Sequence, residues 1–101
     1  MAVAEVSVMP IRKNAASLSA GIAACLGILR DSGLKHELHA MGTVIQGDVN
    51  EILDVVGRMH RAATKQEDVW RVVTTLTIDE RTDQRLTMEG KVDAVKKKLA
   101  G

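Results

Sequence analysis

Strand and helix patterns alternate along this chain in an order that few small folds satisfy. Four segments are rich in β-branched residues or alternate polar with apolar positions, and three segments carry apolar residues at helical spacing. The predicted strands are 2–9, two within 35–47 broken near Met41-Gly42, and 69–79; the predicted helices are 15–31 and two that begin at Asp48 and Thr87. This β-α-β-β-α-β order with a C-terminal helix predicts an α+β ferredoxin-like domain: an antiparallel sheet with helices on one face.

Several residues set the ends of these elements. Pro10 is expected to stop the first strand. Asn14 or Ser17 is expected to cap the first helix, and Gly33 to follow its last turn. Asp48, with Glu51 three residues later, forms a capping-box-like start for the second helix.

The second and third helices have apolar stripes. The stripe predicted for the second helix is Ile52, Leu53, Val56, Met59 and Ala63. The stripe predicted for the third helix is Met88, Val92, Val95 and Leu99. Lys96, Lys97 and Lys98 lie in its final turns, where the helix dipole favours cations, and are interpreted as a solvated surface.

Composition limits the classes of function. The 101 residues suit one domain, 1–101, and the core must be aliphatic because Trp70 is the only aromatic residue. A net charge of +1, without basic patches interleaved with aromatics, argues against nucleic acid. A lone cysteine, Cys25, fits a reducing compartment, and no apolar run is long enough to span a membrane. The expected location is the cytoplasm.

The residues give no positive indication of a metal site or of catalysis. His36 and His39 are three apart on a strand, so their rings point to opposite faces. His60 has Val56 and Thr64 one helical turn away rather than metal ligands. No nucleophile elbow, phosphate loop or dinucleotide-binding motif is present. The prediction is therefore a protein that is not an enzyme; an acid/base pair of Glu5 and Glu37 is the weaker alternative.

The sheet face without helices is the most informative surface. Strand alternation places polar side chains there, with the Thr75 set chosen over the Thr74 set in the last strand. The predicted members are Glu5, Ser7, Glu37, His39, Met41, Thr75 and Thr77. From the pattern alone this face is either an ordinary solvated surface or an interface for a small molecule or another subunit.

The chain also resembles a known family. The segments AEVSVMPI (4–11), SGLKHELHAMGTVIQGD (32–48), RVVTTLTIDERTD (71–83) and TMEGKVDAV (87–95) are similar to the MTH1187/YkoF-like family of thiamine-binding proteins, also described as UPF0045 or DUF77. The resemblance implies a ferredoxin-like fold and a homo-oligomer, a dimer or tetramer. It also implies binding of thiamine or its hydroxymethylpyrimidine moiety without a cofactor.

These implications combine with the alternation into a hypothesis for the site. Thiamine carries a cationic thiazolium and an aminopyrimidine, so its site needs a carboxylate, hydroxyl partners and an apolar wall. Glu5 or Glu37 is predicted to supply the carboxylate, and Met41 a contact surface. The predicted hydroxyls are those of Ser7, Thr43, Thr75 and Thr77. The alternative is a structural or regulatory homo-oligomer without a ligand.

Two segments depart from the family pattern. After the first strand's proline the family often has Gly-Thr, whereas this chain has Ile11-Arg12-Lys13-Asn14. Many members have an acidic residue before the Gly-Asp pair, where this chain has Gln46. The second change removes a negative charge that would favour a cationic ligand.

Overall fold

A computed structural model describes residues 1–13 and 18–101. The described residues form a four-stranded antiparallel sheet in the order β2-β3-β1-β4. The strands are β1 (Ala2–Arg12), β2 (Lys35–His39), β3 (Gly42–Gly47) and β4 (Val69–Glu80), and the helices are α1 (Leu18–Ser32), α2 (Val49–Thr64) and α3 (Met88–Ala100). This order confirms the predicted ferredoxin-like α+β fold.

The first strand is longer than predicted. It continues through Pro10, which lies opposite Val72 of β4, and ends at Arg12. The prediction that Pro10 stops the strand was wrong because β1 pairs with β3 only as far as Val6, opposite Thr43. Beyond Val6 no strand of the described residues follows on that side, and a sheet edge tolerates a residue without an N–H.

The core lies between the sheet and the helices α1 and α2. Leu29 of α1, Ile45 of β3 and Ile52 of α2 are each 0% exposed and pack together with alanines and valines of β1. Gly33 ends α1 with a φ of +78°, a left-handed conformation that glycine adopts without strain, so its predicted role is confirmed. The predicted capping residues Asn14 and Ser17, and positions 15–17 of the predicted first helix, lie outside the described residues.

The stripe predicted for α2 needs one correction. Ile52, Val56, Met59 and Ala63 are buried as expected, but Leu53 is 48% exposed and Val55 is buried in its place. Leu53 follows Ile52 by one residue, which is 100° around a helix, and Val55 is three residues on, on the same side. The Asp48 carboxylate caps α2 by accepting hydrogen bonds from the backbone N–H groups of Asn50 and Glu51.

The third helix begins where predicted but packs differently. The Thr87 hydroxyl caps it by accepting from the N–H of Gly90 at 3.0 Å. Met88 is buried, whereas Val92, Val95 and Leu99 are 53%, 59% and 81% exposed. The stripe predicted for α3 is therefore exposed after its first residue.

Candidate functional site

The surface of the sheet turned away from α1 and α2, here called the open face, carries most of the predicted site. On β3, Val44 has Glu5 of β1 as its partner on one side and Glu37 of β2 on the other. Glu5 is in turn opposite Thr77 of β4. These four residues, Glu37, Val44, Glu5 and Thr77, form the carboxylate row. Its two carboxylate-bearing strands are two strand spacings, or roughly 10 Å, apart.

A second row lies beside the carboxylate row. Ser7 is opposite Thr75, and His39 is opposite Gly42. A Cβ on Gly42 would come 3.0 Å from the Val6 carbonyl oxygen and 3.4 Å from Cγ of Glu5. The glycine therefore lets the Glu5 side chain lie against the end of the β2–β3 hairpin. The choice of Thr75 and Thr77 over the neighbouring set is confirmed by the register.

The start of α3 bounds the carboxylate row on its other side. Gln46 of β3 accepts a hydrogen bond from the N–H of Met88 at 2.8 Å. Lys35 pairs with Glu89, and Asp79 pairs with Lys91. The hydrogen bond from Lys35 lowers the pKa of the Glu89 carboxyl. Three polar side chains of the sheet thus attach the first turn of α3: Gln46, Lys35 and Asp79. The hydrogen bond from Met88 gives Gln46 a structural role that the sequence did not reveal.

The two carboxylates of the row are accessible to a ligand. Glu5 and Glu37 are exposed, and no described lysine or arginine forms an ion pair with either. Glu37 Oε2 lies 3.4 Å from Nε2 of His39, two residues along the same strand. A small cation over Val44 would lie between the two carboxylates, with an apolar floor beneath it.

Two predicted residues lie apart from these rows. Thr43 is only 5% exposed and belongs to the sheet surface covered by the helices, because it alternates with Val44. Met41 is in the two-residue turn between β2 and β3 and is 87% exposed. Neither residue joins the carboxylate row.

Both of these residues line a cavity of about 540 Å³ next to the open face. The cavity is bordered by the second half of β1, the β2–β3 turn and α1, and its lining is mainly apolar. Ser7 and His39 also contribute to the lining, so the cavity adjoins the second row of the open face. The eight predicted site residues therefore divide between the open face and the adjoining cavity.

Unequal strand lengths create this cavity. β1 has 11 residues and β3 has 6, so β1 runs on past the hairpin and leaves a gap beside it. The sequence prediction missed the cavity because it ended β1 before Pro10. Cys25 borders the cavity, and burial raises the pKa of its thiol, which keeps it protonated and unreactive.

The other histidines have structural partners. His60 Nδ1 is 2.7 Å from the Thr74 hydroxyl, and His36 Nδ1 is 2.8 Å from the Leu34 carbonyl oxygen. Within residues 1–13 and 18–101, no group of three His, Cys, Asp or Glu residues is arranged to hold a metal ion. The described helices also include none with the length and hydropathy needed to cross a membrane.

The fold and the open face define a class: a small ferredoxin-like domain with a polar, carboxylate-bearing sheet surface. The comparisons with known proteins give the family. The sequence model described as "Thiamine-binding protein" matches residues 4–96, so the chain belongs to the thiamine-binding protein family.

Relatives in other organisms agree. The UPF0045 protein MJ1052 of Methanocaldococcus jannaschii is 43% identical over 93 residues, which are 92% of this chain and 90% of that protein. The UPF0045 protein YqgV of Bacillus subtilis is 34% identical over 103 residues, covering 98% of each. The resemblance seen in the sequence is thereby confirmed.

Solved structures agree on the fold. The crystal structure of MJ1052 superposes with a TM-score of 0.84 at 40% identity, covering 94% of this chain and 95% of that one. A candidate thiamine biosynthesis/salvage protein of Thermotoga maritima, TM0486, superposes with a TM-score of 0.78 at 24% identity, over 93% of this chain and 97% of that one.

Proposed function

We propose that this protein binds thiamine or its hydroxymethylpyrimidine moiety, without catalysis, on the open face at an interface between subunits. The observation that carries the proposal is the carboxylate row, in which Glu5 and Glu37 flank Val44. Two carboxylates without a lysine or arginine partner among the described residues, on either side of an apolar floor, suit a flat, positively charged heteroaromatic ring. The family description supports the same ligand class.

The remaining predicted residues surround this row. Ser7, Thr75 and Thr77 offer hydroxyls to the amino group and ring nitrogens, and His39 offers an imidazole next to Glu37. Met41 and Thr43 line the cavity that adjoins the second row, next to Ser7 and His39, and this cavity provides an apolar recess. The role would be reversible sequestration or sensing of the ligand.

The subunit interface is proposed because the open face also exposes apolar side chains. Met9 and Val73, which face each other on β1 and β4, are 54% and 40% exposed. A second copy packed there would cover them and exclude water from the charged row. The free thiol of Cys25 supports a reducing compartment, which we take to be the cytoplasm.

Isothermal titration calorimetry with carboxylate variants tests the proposal. Glu5→Gln and Glu37→Gln each remove one charge without changing side-chain size, and each is expected to weaken thiamine binding roughly tenfold or more. Glu80→Gln is the matched control, because Glu80 is an exposed carboxylate on β4 that faces the other side of the sheet.

Two results would count against the proposal. Unchanged affinity in both variants would remove the carboxylate row from the site. Absence of binding in the wild-type protein, together with an intact oligomer, would favour the alternative of a structural or regulatory homo-oligomer without a ligand.

A further inference from the structure

Arg12 lies in the segment where this chain departs from the family pattern, and it takes no part in the carboxylate row. Its guanidinium donates two hydrogen bonds to the loop between α2 and β4: Nη1 to the Glu67 carbonyl oxygen at 2.8 Å, and Nη2 to Oε1 of Gln66 at 2.7 Å. Nε2 of Gln66 in turn donates to the carbonyl oxygen of Gly21 in α1 at 3.1 Å. The residues Arg12, Gln66 and Gly21 are here called the strut, because they join the end of β1 to the first half of α1.

The glycine at position 21 makes room for the strut. A Cβ there would lie 2.7 Å from Nη2 of Arg12 and closer still to Oε1 of Gln66. Gly21 lies within α1 and has no positive φ, so its backbone conformation does not require glycine. Glycine weakens a helix interior relative to alanine. The close approach of two polar side chains therefore accounts for the residue type.

The strut attaches the half of α1 that the core does not hold. In the second half, Leu29 is 0% exposed and belongs to the core, whereas Ile22 in the first half is 40% exposed. Gly21 and Ile22 line the cavity together with Pro10 of β1. A wall that faces a cavity lacks packing partners on that side, so hydrogen bonds must supply the attachment that apolar contacts supply elsewhere.

The guanidinium of Arg12 is not fully satisfied by the strut. Its Nε is shielded from solvent and has no hydrogen-bond partner among the described residues. A buried donor without a partner costs free energy and calls for an explanation. The bonds from the other two nitrogens are thus formed at a partial cost in stability, which points to a role in holding α1 in position.

We propose that Arg12 and Gln66 are positioning residues, which hold the first half of α1 as a wall of the cavity and so control access to it. The described residues that line the cavity include no Lys, Arg, Asp or Glu, so the cavity suits the uncharged part of a small molecule. The consequence for ligand binding rests on the proposed function: the uncharged part of the ligand enters the cavity, and its affinity depends on the strut.

Alkylation of Cys25 by iodoacetamide tests the strut without a ligand. Cys25 is the only cysteine of the chain and lines the cavity, so its rate of modification, followed by mass spectrometry, reports how often the wall opens. Gly21→Ala is expected to raise this rate roughly fivefold or more, the change in open population that the loss of one net hydrogen bond produces.

Gly27→Ala is the matched control in the same helix. A Cβ at position 27 would meet the side chain of Arg30 only at 3.9 Å, an ordinary contact. Alanine favours the helix over glycine at both positions, so helix propensity alone predicts slower alkylation in both variants. The strut predicts faster alkylation in Gly21→Ala and an unchanged or lower rate in Gly27→Ala.

Two further variants divide the strut. Arg12→Met removes the guanidinium, and Gln66→Glu keeps an acceptor for Arg12 but loses the donor to Gly21. The backbone hydrogen bond from Lys13 to the Asp68 carbonyl oxygen, at 3.0 Å, keeps the loop beside β1 in both. Both are expected to speed the alkylation of Cys25. Wild-type rates in Gly21→Ala and Gln66→Glu, or a rise that only matches a fall in stability measured with urea, would overturn the proposal.

Calorimetric titration of the same variants with thiamine tests the consequence for the ligand. Gly21→Ala leaves the carboxylate row intact and is expected to weaken binding roughly threefold or more, because the ligand must then order α1 as it binds. Faster alkylation with unchanged affinity would overturn the link between the strut and the ligand. If the wild-type protein binds no thiamine, the proposed function fails, whereas the alkylation rates still decide whether the strut controls the cavity.

Discussion

The helices α2 and α3 both begin at a capping side chain and both carry apolar residues at helical spacing, yet the described residues cover only the stripe of α2. In α2 the stripe faces the sheet, and Ile52, Met59 and Ala63 are at most 2% exposed. In α3 the stripe is exposed after Met88. Helical periodicity therefore identifies an apolar face, but it does not say whether the cover belongs to the same chain.

Truncation of a stripe residue of α2 is expected to have the largest effect on stability. Ile52→Ala is expected to lower the free energy of unfolding by about 2–5 kcal/mol, since it removes a fully buried side chain and leaves a cavity. Leu53→Ala, at the neighbouring half-exposed position, is expected to cost less than about 1 kcal/mol. Urea denaturation at a fixed protein concentration measures both; equal losses would show that Ile52 and Leu53 are buried alike.

The two capping residues are expected to differ in how far their effects spread through the domain. Asp48→Ala is expected to lower the free energy of unfolding by about 1 kcal/mol, because α2 is part of the cooperative core. Thr87→Ala removes an equivalent cap, but its effect should be confined to α3 and appear as faster amide hydrogen exchange there. If Thr87→Ala lowers global stability as much as Asp48→Ala, α3 is part of the same folding unit as α2.

Dilution tests whether a second copy covers an exposed face of the protein. For a dimer, a tenfold dilution changes the stability per chain by about 0.7 kcal/mol, half of the ~1.4 kcal/mol that a factor of ten represents. If the protein self-associates through the open face as proposed, the wild-type Tm should fall by roughly 3–6 °C per tenfold dilution. Calorimetric scans over two decades of protein concentration measure this, and a Tm that does not depend on concentration would contradict the proposed subunit interface.

The smallest expected effect concerns the attachment of α3 to the sheet. The hydrogen bond from Lys35 holds the pKa of Glu89 below its usual range. Stability from a lowered carboxyl pKa is present above the unfolded pKa, about 4.3, and is lost as the pH falls through the lower folded value. The difference in stability between wild type and Glu89→Gln should therefore be constant near neutral pH. It should disappear as the pH falls below about 4.

Salt provides the control for that prediction. Glu89 and Lys35 are both exposed, so added salt should shrink the difference. A difference that stays constant through the acid range would show that the Lys35–Glu89 pair does not hold α3.

Alternation and register account for what the sequence predicted correctly. Each strand residue points to the face opposite its neighbours, so Glu5, Glu37 and Thr75 fell on the open face once the four strands were recognised. Caps such as Asp48 and Thr87 were also predictable, because they depend on only a few adjacent residues.

The missed features depend on contacts between distant segments. Pro10 remains in a strand because β3 ends before reaching it, and the cavity beside it follows from the same difference in strand length. Thr43 was predicted to bind the ligand because of its hydroxyl, but strand alternation places it on the sheet surface that the helices cover. Gln46 was interpreted as a missing ligand charge, and only the position of α3 shows that it accepts from Met88.

A calorimetric titration of the wild-type protein with thiamine, alongside the uncharged hydroxymethylpyrimidine, tests ligand binding at the carboxylate row most directly. If the carboxylate row holds a cation over Val44, thiamine gives a saturable heat and binds more tightly than the neutral pyrimidine, and the preference is lost in Glu5→Gln and Glu37→Gln. If neither compound gives a binding heat at high micromolar concentration, the proposal that the open face binds thiamine or its pyrimidine moiety is contradicted.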